Sequence, residues 1–162
     1  MIIRETLPTD FDDITHCVFS AFQNEGEVVL VQQLRADNDV VIELVAEEAG
    51  SIVGHVLVSH LSLNPNISLQ CGGVAPLSVL PGHQSNGIGS RLMEAVIERS
   101  RSVELDALFL LGDPAYYQRF GFQVTGVRSD YPAEYFQAFE LTPGCLHGGQ
   151  TKAQYAPAFA AI

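Results

Sequence analysis

Apolar residues in the first third of the chain recur mostly at helical spacing. The short, β-leaning opening at residues 1–5 predicts a first or edge strand. Residues 9–22 predict a helix that Thr9 or Asp10 can cap. Its core-facing positions lie three or four residues apart: Ile14, Val18, Ala21 and Phe22. A polar interruption follows, and residues 28–37 predict a second helix.

The pattern then changes to that of strands. Two β-rich runs, residues 41–49 and 51–63, are separated by Gly50 and predict a hairpin. A turn-rich stretch at 64–68 leads into another strand candidate that covers residues 69–80. The middle of the chain is therefore expected to supply neighbouring strands of one sheet.

Helices and strands alternate further along. A helix is predicted over residues 87–102, with apolar positions at helical spacing. The continuous apolar run at 106–112 predicts a strand that is buried on both faces. A short helix follows, with Asp113 as its cap, Pro114 at its first position and Gly121 at its end.

The order of elements predicts an α/β fold of the α+β, mixed-sheet type. Residues 134–141 alternate as a further strand, whereas the turn-rich tail at 142–162 resists assignment. With 162 residues and no linker or repeat, the whole chain is expected to form one domain. Its core would cover about residues 1–141, with 142–162 as a C-terminal extension.

Composition and charge narrow the possible partners. Hydrophobic residues make up 47% and charged residues 17%, a balance typical of globular proteins rather than disordered ones. The formal net charge of −11 disfavours nucleic acid and anionic membranes, and mildly favours cationic partners such as amines. No apolar run is long enough to span a bilayer.

The cysteines and the N-terminus bear on location. Cys17, Cys71 and Cys145 match no zinc-binding spacing, so no metal is expected, and their odd number suits a reducing compartment. We expect them to serve as small buried hydrophobic residues. Residues 1–13 lack the basic and apolar regions of a signal peptide, which favours the cytoplasm.

A glycine-rich stretch before the long helix predicts an anion site. Gly82, Gly87 and Gly89 leave backbone amides uncovered, and the start of the helix adds more. A nucleoside-triphosphate loop is excluded because it needs a lysine, and the chain's one lysine is Lys152. A dinucleotide fingerprint is unlikely because Ser90, Arg91 and Leu92 follow without the third glycine.

The same stretch resembles a known acetyltransferase family. "QSNGIG", residues 84–89, is similar to the [QR]-x-x-G-x-[GA] motif of the GNAT (Gcn5-related N-acetyltransferase) superfamily. "AYYQRFGF", residues 115–122, resembles that family's fourth helix. "LGDPAYYQRFGF" and the later "YAPAF", residues 155–159, resemble its YhbS-like subgroup of small bacterial predicted acetyltransferases. The resemblance implies a mixed, mostly antiparallel sheet with helices on both faces and a splayed cleft between its fourth and fifth strands.

The resemblance also implies acetyl-CoA as cosubstrate and a set of residues that bind it. Amides from Gln84 to Ser90 could point at its pyrophosphate, and Arg91 could add a side-chain contact. The residues implied for the pantetheine arm and thioester are Leu77, Ser78, Val79 and Tyr117. Those implied for the pyrophosphate are Gln84, Ser85, Asn86, Gly87, Ile88, Gly89, Ser90 and Arg91.

The implied reaction is direct attack of an amine on the thioester in a ternary complex. The backbone N–H of Val79 is the implied oxyanion donor, and Tyr117 is the implied acid that protonates the leaving thiolate. Tyr116 points about 100° away from Tyr117 on a helix, so packing is its expected role.

The general base stays open at this level. The strand at 69–80 carries no carboxylate, and the candidates are Glu25, Glu27, His55, His60 or an ordered water. A lone histidine is more often structural than catalytic.

The sequence constrains the identity of the acceptor, its pocket and the oligomeric state of the protein less. A small primary amine is the expected acceptor, with a protein amino group as an alternative. A catalytically weak domain that senses acyl-CoA is a further alternative, although Tyr117 argues against it. A homodimer is compatible with the resemblance.

Overall fold

The computed structural model describes residues 1–65, 68–146 and 151–161. Its helices are α1 (Phe11–Phe22), α2 (Gly26–Ala36), α3 (Ile88–Ser102) and α4 (Pro114–Tyr117). Short 3₁₀ turns cover Pro8–Asp10, Gln118–Phe120 and Pro157–Ala161. Within these ranges, none of the helices has both the length and the apolar character needed to cross a bilayer.

The strands form one sheet. Their bounds are β1 (Ile2–Glu5), β2 (Val40–Glu48), β3 (Ser51–Asn64), β4 (Cys71–Val79), β5 (Ala107–Leu111), β6 (Gln123–Val124), β7 (Phe136–Glu140) and β8 (Lys152–Tyr155). The order is β1-β2-β3-β4-β5-β7-β6, and β8 pairs with β3. Every pairing is antiparallel except that of β4 with β5. The mixed, mostly antiparallel sheet expected from the sequence is confirmed.

Helices pack on both faces of this sheet. The side chains of β2 alternate in direction, so successive residues of this strand contact helices on opposite faces. Leu44 and Ala46 pack with the α3 residue Leu92, whereas Val45 packs with Ile14 of α1. Full burial of a side chain such as Leu92, which has no exposed surface, contributes roughly 1.5–3 kcal/mol. The core-facing positions read from the sequence are therefore buried or half-buried, and the helices lie on both faces, as the resemblance implied.

The centre of the sheet opens between β4 and β5. The two strands pair only from Cys71 to Gly73, opposite Ala107 to Phe109. Beyond that point a bulge interrupts β4, because Val74 pairs with Val58 but Leu77 pairs with Val56. The remainder of β4 diverges from β5, and this confirms the splayed cleft.

The described tail is part of the sheet rather than a loose end. β8 pairs with the last residues of β3, Leu61–Asn64, just beyond the stretch of β3 that pairs with β2. The following 3₁₀ turn buries Phe159 against Leu30 and Leu34 of α2. The predicted turn at 64–68 and the tail also include residues 66, 67, 147–150 and 162, which lie outside the described residues.

One predicted helix cap is wrong. Asp10 makes no side-chain hydrogen bond to the first turn of α1. Its carboxylate instead accepts two hydrogen bonds from Arg4, at 2.8 and 2.9 Å, and one from the Leu7 amide. These partners hold the pKa of Asp10 below its usual range despite its burial. At α4 the expected cap is confirmed, since Asp113 accepts a hydrogen bond from the Ala115 amide at 2.9 Å.

Candidate active site

The glycine-rich loop arranges a run of unpaired amides at the start of α3. Gly82 and Gly87 have φ angles of +90° and +80°, which favour glycine. Residues 84 and 85 form a turn, and across the described residues no other backbone hydrogen bond is donated by the amides from 84 to 90. The amide of Arg91 donates to the Gly87 carbonyl at 3.0 Å and begins the helical ladder. The loop therefore keeps several N–H donors available at the positive end of a fifteen-residue helix.

These donors border a hollow of about 450 Å³. Tyr116 closes one side: its hydroxyl lies 3.4 Å from Ser90 Oγ, and it would lie 3.2 Å from a Cβ atom at Gly89. Arg119 also lines the hollow, with its guanidinium 4.6 Å from the centre of the Tyr116 ring. Open amides together with an exposed guanidinium suit a polyanion such as a diphosphate.

The implied cofactor residues mostly line this hollow. Those that do are Leu77, Val79, Gln84, Ser85, Gly87, Ile88, Gly89 and Ser90. Asn86 is exposed at the loop surface. Arg91 lies on another side of α3, where it lines a separate hollow with Arg4 and Glu94.

The last residues of β4 carry backbone groups that face the gap. The Leu80 amide donates to the Val53 carbonyl of β3 at 2.9 Å. Because hydrogen-bonding groups alternate along an antiparallel strand, the N–H of Val79 points away from β3 and into the gap. Ser78 pairs with His55 and is buried, so its backbone faces β3 instead. Gln84 fixes the geometry by donating from Nε2 to the Val79 carbonyl at 3.1 Å.

A second cavity, of about 300 Å³, adjoins the first and shares Leu77 with it. We call it the acceptor cavity; the lining residues used below are Phe22, Glu27, Tyr117, Tyr131, Tyr155 and Phe159. Tyr117 packs closely on Gly112, since a Cβ atom there would lie 2.5 Å from the tyrosine ring. Burial raises the pKa of Tyr117 to about 12, with a smaller contribution from Tyr116.

The structure separates the candidate bases. Glu27 lines the acceptor cavity, and its buried Oε2 atom has no hydrogen-bond partner among residues 1–65, 68–146 and 151–161. Glu25 precedes α2 and is exposed. His55 is fully buried and lies 2.8 Å from Glu43 Oε2, while exposed His60 lines a separate groove along β3 and β8. Of the acid and base candidates named from the sequence, Glu27 and Tyr117 both line this cavity.

Sequence reasoning missed Arg119 and the aromatic wall of the acceptor cavity. Arg119 lies three residues after Tyr116, the spacing at which helical side chains meet, so the pairing with Tyr116 was available as a signal. Tyr131, Tyr155 and Phe159 reach the cavity through tertiary packing. Tyr155 and Phe159 belong to the "YAPAF" stretch, which indicated the subgroup but not a place in the cavity.

Comparison with known proteins agrees with this geometry. The family model described as "Acetyltransferase (GNAT) domain" matches residues 2–125. The chain belongs to the GNAT acetyltransferase family. The uncharacterized N-acetyltransferase YhbS of Escherichia coli K12 is 30% identical over 154 residues, which cover 91% of this chain and 92% of YhbS. The uncharacterized N-acetyltransferase YjhQ of the same strain is 32% identical over 130 residues, covering 78% of this chain and 72% of YjhQ.

Two solved structures share the fold over nearly the whole chain. The crystal structure of E. coli YhbS in complex with CoA aligns with a TM-score of 0.90 and 28% identity, covering 98% of this chain and 91% of YhbS. A GNAT family acetyltransferase from Brucella melitensis, in complex with acetyl-CoA, aligns with a TM-score of 0.84 and 32% identity, covering 98% and 97%. The family and subgroup expected from the sequence motifs are confirmed.

Proposed function

We propose that this protein transfers an acetyl group from acetyl-CoA to a primary amine of a small molecule, by direct attack in a ternary complex. One observation carries the proposal: two cavities meet at Leu77, one bordered by open amides and the other by Tyr117 and Glu27. Such adjoining sites can hold both reactants together, which contributes on the order of 7–11 kcal/mol to lowering the barrier. The solved relatives in complex with CoA and acetyl-CoA support the choice of donor.

The cofactor would lie along the β4 edge of the cleft. In the proposal, its pyrophosphate accepts hydrogen bonds from the amides of residues 84–90 and from Arg119. Its pantetheine arm lies beside Leu77 and Val79, where β5 has diverged and left the backbone of β4 open. The side chains of Arg91 and Asn86 have no part in this arrangement, because the first lines another hollow and the second is exposed to solvent; Asn86 takes part only through its backbone amide.

The chemistry follows from the groups at the junction. The amine nitrogen forms a bond to the thioester carbon, and the Val79 N–H stabilises the oxyanion that develops. As the oxyanion collapses, the carbon–sulfur bond breaks and Tyr117 donates its proton to the thiolate. A tyrosine with a pKa of about 12 stays protonated at neutral pH and is ready to donate. Glu27, directly or through water, accepts a proton from the amine.

The decisive experiment combines cofactor binding with an amine panel. We expect calorimetry to show acetyl-CoA binding, and at least one primary amine to release CoA thiol in a stoichiometric assay. The Tyr117→Phe variant should bind acetyl-CoA normally while kcat falls by about 10²–10⁴-fold. Binding of acetyl-CoA without turnover of any amine would instead favour a sensor of acyl-CoA, and turnover of protein amino groups alone would favour the alternative acceptor.

The setting of this activity is also part of the proposal. The tail joins the sheet through β8, and Tyr155 and Phe159 line the acceptor cavity, so we treat residues 1–162 as one domain. Cys17 and Cys71 are buried free thiols, as expected, and Cys145 is half-buried. Free thiols suit a cytoplasmic location. Both cavities lie within one chain, so a homodimer, if formed, is not required to complete them.

A further inference from the structure

We propose that the acceptor is a small primary amine with one positive charge and an apolar, preferably aromatic, body. In this arrangement Glu27 faces the amino group, and the aromatic wall of the acceptor cavity holds the body. The inference rests on the proposed acetyl transfer and names the substrate class of the same site. It assigns roles in acceptor recognition to the aromatic residues Tyr131, Tyr155 and Phe159, for which the sequence analysis gave no role.

The charge of the cavity fits a single ammonium group. Among the described residues that line it, Glu27 is the one acidic residue and none is basic. The buried Oε2 atom of Glu27 has no hydrogen-bond partner within the described part of the chain. A buried carboxylate oxygen without a partner is costly, and a substrate ammonium would supply the missing charge-assisted hydrogen bond. A polyamine or an aminoglycoside would bring further ammonium groups for which this wall offers no carboxylate.

The remaining wall favours an apolar body. Tyr155 forms the middle of a ring cluster: its centroid lies 5.4 Å from that of Tyr131 and 4.8 Å from that of Phe159. Phe22 and Leu30 extend the apolar surface toward α2. Aromatic faces stack on aromatic groups and also attract a nearby ammonium.

The size of the cavity sets an upper limit on the acceptor. Its volume of about 300 Å³ lies at the lower end of the range for small-molecule sites. Part of that space must also receive the acetyl group beside Leu77 and Tyr117. A single-ring arylalkylamine fits these limits, whereas a multi-ring sugar does not.

The aromatic wall belongs to the part of the chain that lies beyond the family match. The match ends at residue 125, while Tyr131, Tyr155 and Phe159 follow it. Gly73 makes room for this wall, because a Cβ atom at that position would lie 2.5 Å from the Tyr155 ring. In this proposal the tail contributes to acceptor specificity through Tyr155 and Phe159.

The protons balance along this route. The ammonium loses one proton to Glu27, which releases it to solvent, and the neutral amine then attacks the thioester. The second proton lost by the nitrogen replaces the one that Tyr117 gives to the CoA thiolate. The products are the N-acetylated amine, free CoA thiol and one proton.

The test measures CoA thiol release with 2-phenylethylamine, tyramine, spermidine and kanamycin as acceptors, on the full chain. We expect kcat/KM for the two arylalkylamines to exceed that for the two polycations by at least about 10-fold, as roughly 1.4 kcal/mol of discrimination requires. A preference for spermidine or kanamycin would overturn the inference while leaving the acetyltransferase function intact. Turnover of no amine at all would overturn both.

Variants at Glu27 and Phe159 test separately how the cavity recognises the charge and the shape of the acceptor. Glu27→Gln should lower kcat/KM for 2-phenylethylamine by roughly 10²-fold, the lower range for a lost acid–base group, with an unchanged KM for acetyl-CoA. Glu25→Gln, an exposed neighbour two positions away, is the matched control and should retain activity. Phe159→Leu keeps an apolar side chain and should reduce the preference for aryl over alkyl amines. Equal losses in Glu25→Gln and Glu27→Gln, or an unchanged aryl preference in Phe159→Leu, would contradict the assignment.

Discussion

At the scale of single residues, Tyr117 is the group on which the proposed chemistry most depends. Burial raises its pKa to about 12, so the hydroxyl is protonated across the ordinary working range of pH. A general acid stops working only when the pH rises toward its pKa, because the group is then deprotonated. We therefore expect no alkaline fall in kcat/KM below pH 10 from this residue. A kcat/KM profile with acetyl-CoA varied checks this, and a fall near pH 8 that disappears in Tyr117→Phe would contradict it.

Two glycines on opposite sides of the cleft give a paired prediction. In Gly112→Ala the new methyl would lie 2.5 Å from Tyr117 Cε2, so the ring must move. We expect kcat to fall at least about 10-fold, since a misplaced acid group contributes little, while KM for acetyl-CoA stays unchanged. Steady-state kinetics with acetyl-CoA varied at saturating amine measures both parameters.

Gly89→Ala is the matched control for this prediction. Its methyl would lie 3.2 Å from the Tyr116 hydroxyl and beside the proposed pyrophosphate site. The expected change is the reverse: KM for acetyl-CoA rises and kcat changes little. If both alanine variants raise KM for acetyl-CoA equally, then, contrary to the proposal, Gly89 does not mark the cofactor site and Gly112 does not mark the site of the acid group.

At the scale of elements, a buried charge cluster joins α2 to the sheet. Arg35 of α2 donates to Glu43 of β2 at 2.5 Å, and His55 of β3 lies 2.8 Å from the same carboxylate oxygen. Burial lowers the pKa of His55. Burial opposes ionisation of Glu43, yet its hydrogen bonds to His55 and Arg35 keep its pKa below the usual value. His55 is therefore structural, as expected for a lone histidine.

This cluster predicts a loss of stability in mild acid. The unfolded chain takes up a proton at His55 below pH 6.5, whereas the folded chain resists it, so stability falls as the pH drops below that value. The loss is at most about 1.4 kcal/mol between pH 6.5 and 5.5. A second loss follows below pH 4.5 as Glu43 is protonated.

Urea unfolding at pH 7.5 and 5.5 measures the first of these losses. The His55→Gln variant lacks the titrating ring, so its free energy of unfolding should change less between the two pH values than that of the unchanged chain. Identical declines in the two proteins would show that His55 does not stay neutral when folded.

The elements also show what the sequence can and cannot predict. Amphipathic spacing located α1 and α3, and Gly50 correctly divided β2 from β3, because these signals are local. β6 has only two residues, and β8 gains its stability by pairing with β3, so neither carries a periodic signal of its own. In the site, motif spacing located the glycine loop and Tyr117. The aromatic wall depends on the packing of the tail and could not be read from spacing.

At the scale of the whole molecule, the net negative charge of the protein repels an anionic cofactor. At physiological salt, screening weakens the repulsion between the net charge of −11 and CoA beyond about 8–10 Å, and at closer range the loop amides offset it. We expect the association rate constant for CoA to rise between 20 and 200 mM NaCl, as screening weakens the repulsion. Stopped-flow binding measures this rate, and a steep fall with salt would mean that a basic patch steers the cofactor instead.

The central claim of this account is that the amides of residues 84–90 hold the diphosphate of the cofactor. The crystal structure of this protein soaked with CoA tests it most directly. The account predicts pyrophosphate oxygens at about 2.7–3.2 Å from several of these nitrogens, with Arg119 beside them and the thiol near Tyr117. A diphosphate bound elsewhere, or loop amides bonded to the chain's own carbonyls, would contradict the claim.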